Sequence, residues 1–161
     1  MTASGKTTLG KKLIKRYQTN GTNTLVLDPL CDPDWGADFQ TDEAKEFLRM
    51  MYENRSCALF IDESGASIGR YAGEMAVVAT QSRHFGHKAH FFTQRGQQLD
   101  KTIRDQCTEL FLFRVSKGDA KIFADEFGYD ELIDANLLHQ GECFKVSRFA
   151  PPEKIDVFSM N

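Results

Sequence analysis

Strand-like and helix-like segments alternate along this chain, and the alternation predicts an α/β fold with a mostly parallel sheet flanked by helices. Two further observations agree with it. Cys57-Ala58-Leu59-Phe60-Ile61 is a continuous apolar run, the pattern of a strand covered on both faces. Polar residues gather where strand-like runs end, at Asp28, at Asp62-Glu63 and at Gln94, and open α/β sheets bind their ligands at those carboxyl ends.

Taken in order, Leu9, Leu13, Ile14 and Tyr17 recur at helical spacing, with Lys11, Lys12, Lys15 and Arg16 on the other side, a pattern expected of a solvated basic face. Asn20-Gly21 marks a turn. Thr24-Leu25-Val26-Leu27 reads as a short strand ending in Asp28, with a loop through Trp35-Gly36 beyond it. Ala44, Phe47, Leu48 and Met51 give an amphipathic helix opened by Thr41-Asp42-Glu43 as a cap. After the strand at 57–61, a helix is expected over 71–83 with Met75, Val78 and Ala79 inward, then a strand over 88–94 and a helix over 99–107. The strand expected at 110–115 contains Phe111-Leu112-Phe113, which reads as the core of a central strand. Two short helices near 119–127 and 130–138 precede 141–146, expected as an antiparallel edge strand. Pro151-Pro152 opens a tail with little periodicity.

With 161 residues, the chain fits one domain, expected to span residues 1–161. Apolar residues make up 41% and charged residues 27%, an ordinary globular composition rather than a disordered one. A formal net charge of −3 argues against a surface that is one broad nucleic-acid footprint, though not against a few basic residues on one loop. Cys31, Cys57, Cys107 and Cys143 form no C-x-x-C pair, so buried, reduced thiols in a cytoplasmic protein are expected, in a bacterial or phage-infected cell. No apolar run reaches the roughly 18 residues of a membrane span, and lysines interrupt the N-terminus where a signal peptide would be apolar. His84, His87 and His90 lack a matching acid or thiol and do not read as a metal site.

The chemistry is concentrated in three places. Ser4-Gly5-Lys6-Thr7-Thr8 matches the last positions of a phosphate-binding loop, written G-x-x-x-x-G-K-[ST], running into a helix whose N-terminus favours an anion. In such a loop Lys6 partners the β- and γ-phosphates, Thr7 offers its hydroxyl to Mg²⁺ and Thr8 reaches the next phosphate back. The loop's first glycine and the strand delivering it would precede Met1. The expectation is therefore a P-loop domain truncated at its N-terminus, without its first strand, or a loop trimmed in nature. A P-loop NTPase also needs a carboxylate at the end of a neighbouring buried strand to hold the metal. Asp62 fills that place, and Glu63 beside it is the candidate base for the attacking water. Gln94, at the next strand's end, is placed to contact the γ-phosphate or orient that water. Arg83, just ahead of that strand, is the candidate arginine finger toward a neighbouring subunit's nucleotide, ahead of Arg95, Arg104 and Arg114. A carboxylate base next to the metal acid points to hydrolysis of ATP rather than transfer to a small acceptor.

Ala3-Ser4-Gly5-Lys6-Thr7-Thr8, Ala58-Leu59-Phe60-Ile61-Asp62-Glu63, Ser82-Arg83-His84-Phe85-Gly86 and Phe92-Thr93-Gln94-Arg95 together resemble the HerA/FtsK superfamily of P-loop ATPases. The likeness runs to about residue 146 and is closest to phage genome-packaging ATPases and Zot-like morphogenesis proteins. It implies a RecA-like domain that assembles into a ring, usually a hexamer, and pumps DNA with ATP and Mg²⁺. Carried onto this sequence, it implies ATP and metal binding by Lys6 and Thr7, metal binding and water activation by Asp62 and Glu63, and γ-phosphate sensing by Gln94. The finger falls on Arg83. The implied partners are DNA, other copies of the chain, and a phage portal or membrane-vertex protein, in the host cytoplasm or on the virion. A Zot-like secretion ATPase and a non-hydrolysing nucleotide-binding module remain alternatives. A small-metabolite kinase would explain the loop but not Glu63 and Gln94 at two strand ends, and it should carry an arginine-rich lid.

Overall fold

The computed structural model describes residues 4–63 and 71–160, with backbone only for Glu63, Ala72 and Gln97. The fold is α/β, with a parallel sheet flanked by helices and a smaller antiparallel sheet. The chain divides into two compact units. One takes residues 1–9, 95–97 and 107–161, and the other residues 10–94 and 98–106.

The larger unit holds four strands, β1 (Thr24–Leu27), β2 (Phe39–Thr41), β3 (Ala58–Glu63) and β4 (Lys88–Thr93), all parallel in the order β2-β1-β3-β4. The register runs from Thr24 opposite Ala58 to Leu27 opposite Ile61, and from Ala58 opposite Lys88 to Glu63 opposite Thr93. Side chains alternate across a sheet, so Val26, Ala58 and Phe60 share one face. Ile14 of helix α1 (Lys6–Thr19) and Trp35 pack there, with Tyr17 edge-on to Phe60 at 6.1 Å. Leu25, Leu27, Leu59 and Ile61 point to the other face and are equally shut off from water. Helix α2 (Ala44–Glu53) packs against β1 and β2, and α3 (Ala72–Gln81) packs against α2. Burial of both faces explains why β3 reads as an unbroken apolar run. Met75, Val78 and Ala79 face inward as the spacing predicts. Helix α4 (Lys101–Gln106) is shorter than expected and contacts α3.

The smaller unit departs further from the sequence reading. It contains β5 (Glu109–Phe113), helix α5 (Lys117–Phe127), a 3₁₀ segment at Asp130–Leu137, β6 (Glu142–Ser147) and β7 (Ala150–Asp156). The three strands are antiparallel in the order β5-β6-β7. β5 is therefore an edge of this sheet rather than a central parallel strand, and Phe111 is only half-buried, with the Lys145 ammonium 6.0 Å from its ring centroid. The expected edge strand at 141–146 is the middle one, because the stretch from Ala150 pairs along its far side. Pro151 and Pro152 hide this strand from a sequence reading. They are tolerated since β7 is an edge and its pairing with β6 is irregular between Lys145 and Ser147. Leu112, Phe123, Phe127, Leu132, Leu138 and Val146 form the core of the unit. Ser116 caps α5, accepting from the Asp119 amide at 3.1 Å while its hydroxyl donates to the Asp119 carboxylate at 2.9 Å. Arg148 joins the turn after β6 to Cys107 and Glu126 through hydrogen bonds to their carbonyls, at 3.1 and 3.3 Å.

All four cysteines are free thiols; Cys57 and Cys143 are buried as expected, whereas Cys107 is half-buried and Cys31 is exposed. It occupies the turn after β1, where its amide donates to the Asp28 carbonyl and its φ is 49°. Burial pushes the Cys143 thiol up to about 12. Among the described residues, no helix is long and apolar enough to cross a membrane.

Candidate functional site

Ser4 and Gly5 are buried and lead into α1, whose first turn is Lys6 to Leu9. The Leu9 amide donates to the Gly5 carbonyl at 2.9 Å, the bond that closes the turn. The amides of Lys6, Thr7 and Thr8 precede that bond, and amides in this position face out of a helix N-terminus toward any anion placed there. No acidic residue occupies the first turn to compete for them. Thr7 is exposed, and Lys6 and Thr8 are half-exposed. Gly5 has a φ of 101°, a conformation that side chains resist. A Cβ there would lie 2.9 Å from Val157, 3.1 Å from Phe113 and 3.2 Å from Gly141, so space and backbone both demand glycine. The Gly141 amide donates to the Ser4 carbonyl at 3.2 Å, tying the turn to the start of β6. Met1, Thr2 and Ala3 lie outside the described residues.

One turn further on, in the larger unit, Gly10 lets Trp35 lie directly on α1. A Cβ at Gly10 would fall 2.6 Å from the indole and 3.1 Å from Phe92. Trp35 is held in turn by the Asp28 carboxylate, which accepts from the indole Nε1–H at 3.1 Å and from the Leu30 and Asp32 amides at 2.9 and 2.8 Å. Lys11 reaches Asp32 and Asp34 at 3.6 and 3.7 Å. The acid ending β1 thus folds the loop that holds α1 in place. The sequence marks Asp28 only as a polar strand end, because its partners are set by the loop's path.

The remaining site residues of the sequence reading belong to the larger unit. Asp62 and Glu63 end β3, paired with Phe92 and Thr93, and Gln94 follows β4 directly. Parallel register therefore brings these three to the same carboxyl edge on adjacent strands. Asp62 and Gln94 are half-buried there. Arg83 lies elsewhere. It occupies the 3₁₀ turn Ser82–Phe85 ahead of β4, at the amino edge, and β4 advances about 16 Å before Gln94 is reached. Its exposed guanidinium donates to the Gln106 carbonyl at 2.9 Å. Of the other arginines, Arg104 donates to the Leu99 carbonyl at 2.6 Å, while Arg95 and Arg114 are exposed.

Of the three clustered histidines, His87 and His90 are engaged in the packing, whereas His84 is exposed. His87 is buried, its Nδ1 accepting from the Cys57 amide at 3.0 Å, which leaves Nε2–H to donate to the Met51 carbonyl at 2.8 Å. His90 stacks on Phe60 at 4.8 Å and shares a 3.0 Å hydrogen bond with the Tyr17 hydroxyl. Burial, helped by the nearby Lys88 ammonium, lowers its pKa to about 4. Among the described residues, no group of three or more His, Cys, Asp and Glu side chains is arranged to hold a metal.

No family model matches the chain, and no curated protein matches it. Solved structures do. The genome packaging NTPase B204 from Sulfolobus turreted icosahedral virus 2 in complex with AMPPCP is 14% identical, with a TM-score of 0.72 over 91% of this chain and 88% of that one. The same NTPase in complex with ATP-gammaS is 13% identical, with a TM-score of 0.70 at the same coverage. B204 described as the DNA-packaging ATPase of Sulfolobus turreted icosahedral virus is 14% identical, with a TM-score of 0.65 over 90% and 87%. At these identities the likeness establishes a shared fold.

Proposed function

We propose that the chain is an ATP-hydrolysing motor of the genome-packaging type, which binds Mg²⁺-ATP at the Ser4–Thr8 turn and moves DNA. The observation carrying this reading is the sequence Gly5-Lys6-Thr7-Thr8 at the N-terminus of α1, in a chain sharing the fold of a packaging NTPase across nine-tenths of its length. Lys6 and the amides of the first turn take the β- and γ-phosphates. The Thr7 hydroxyl and the Asp62 carboxylate are oxygen donors of the kind a hard divalent cation requires, so these two residues would hold Mg²⁺. When bound, the ion neutralises charge on the phosphates. Glu63 removes the proton of the attacking water, and Gln94, at the same sheet edge, orients that water against the γ-phosphate. Arg83, at the opposite edge, acts on the nucleotide of another copy in a homo-oligomeric ring. Packaging fits a protein of the host cytoplasm or the virion, recruited by a portal or vertex protein.

The test is ATP turnover by the full chain with and without double-stranded DNA. DNA is expected to stimulate turnover. Glu63→Gln is expected to retain ATP binding while turnover falls by about 100-fold or more, within the range removed with a general base. Unaltered turnover in Glu63→Gln would remove Glu63 as the base, and ATP turnover indifferent to DNA would remove the motor.

A further inference from the structure

We infer that Phe158 is the stacking platform for the base of the bound nucleotide. This rests on the phosphate-binding reading of the Ser4–Thr8 turn and adds to it the part of the ligand that the turn does not contact. All of the residues concerned lie in the smaller unit.

The chain returns to the turn twice after α5. Gly141 donates its amide to the Ser4 carbonyl at 3.2 Å and accepts from the Val157 amide at 2.9 Å, so residues 4, 141 and 157 are joined in one ladder. Val157 also touches the position a Gly5 side chain would occupy. Phe158 is the next residue, and its ring lies over Gly141. A Cβ on Gly141 would fall 2.3 and 2.4 Å from the ring's Cδ2 and Cε2. With a φ of 85° and no room for a Cβ, Gly141 is a bare strip of backbone on which one edge of the ring is seated. The aromatic ring is thus one glycine removed from the phosphate turn.

Phe158 nevertheless stays 51% exposed, although a wholly apolar ring gains by being covered. Its place is fixed from below. The Asp156 carboxylate accepts from the Phe158 amide at 2.9 Å and from the Ser159 hydroxyl at 3.0 Å, so backbone and carboxylate are already engaged in the turn. What remains open is ring surface without a polar group. A nucleotide held by its phosphates at Lys6 to Thr8 extends its ribose and base away from the helix N-terminus, and a planar heterocycle is the part of it that such a surface fits. Phe149 is more exposed, at 91%, but it sits at the β6–β7 turn and has no comparable link to Ser4 or Gly5. Stacking reads the face common to all bases rather than their polar edges. The platform therefore favours nucleotides over bare phosphates and does not by itself separate ATP from GTP.

Calorimetric titration of the full chain with ATP, GTP and inorganic tripolyphosphate, each with Mg²⁺, tests this. For Phe158→Ala, affinity for ATP and GTP is expected to fall about tenfold or more, with tripolyphosphate affinity unchanged, and Phe158→Tyr is expected to restore both nucleotides. Unchanged ATP affinity in Phe158→Ala would overturn the assignment and leave the ring to a macromolecular partner. Equal losses for ATP and tripolyphosphate would overturn it too, since the ring would then merely support the turn. A wild-type chain that binds neither ATP nor tripolyphosphate would instead defeat the phosphate reading, and the platform with it.

Discussion

His90 shows at the level of one residue how the fold changes chemistry that composition leaves open. The sequence assigns His90 no role beyond its place in a strand, and the fold uses it as a flat, neutral ring between Phe60 and the Tyr17 hydroxyl. Its folded pKa of about 4 lies below the ordinary value of 6.5. The unfolded chain therefore takes up a proton near pH 6.5 that the folded chain refuses until about pH 4. Stability from this group is complete above pH 6.5, falls as pH drops through that window, and changes no further below pH 4. The full effect is about 3 kcal/mol. Urea unfolding of wild type and His90→Gln at pH 7 and pH 4.5 is the check. Wild type should lose more stability than the variant over that interval, and parallel losses would show that His90 titrates normally.

At the level of elements, α1 is held by what lies against it as much as by its own sequence. Gly10 in mid-helix costs about 1 kcal/mol relative to alanine, and the packing explains its presence, since any Cβ there would meet Trp35. The indole cannot easily retreat, being tied to Asp28 and edge-on to Phe92 at 5.7 Å. Gly10→Val should therefore destabilise the chain by about 1–3 kcal/mol through overpacking. Trp35 is the single tryptophan, so its fluorescence reports the same event directly. An unchanged denaturation midpoint and emission maximum would mean that the loop yields freely. Helix spacing made α1 legible, but not its neighbour, because the contact joins Gly10 to a residue 25 positions away. β7 is hidden from the sequence for a related reason. Its prolines deny it the look of a strand, and only pairing with β6 makes it one.

For the molecule as a whole, parallel topology decides which candidate residues share an edge. Asp62, Glu63 and Gln94 follow the direction of β3 and β4 to the carboxyl side, while Arg83 precedes β4 and stays at the amino side. Proximity in sequence to the strand of Gln94 thus places Arg83 away from Asp62 and Glu63, and under the proposed mechanism the arginine acts between copies. Mixing Arg83→Ala with wild-type protein should then depress ATP turnover below the wild-type fraction present. Activity that merely scales with that fraction would place the finger on another residue.

By itself the sequence determined the local features. The Gly5-Lys6-Thr7-Thr8 turn, the buried character of β3 with its acidic end, and the alternation that makes an α/β chain are all written in short stretches, where spacing and side-chain chemistry suffice. Tertiary structure decided what depends on pairing between distant segments. It made β5 an edge of the antiparallel sheet and β6 its middle strand rather than an edge, set Gly141 and Val157 against Gly5, and left Phe158 open beside them. The contacts with Gly5 span more than 130 residues, and hydrophobic periodicity along a chain records that a face is buried without recording which distant segment covers it.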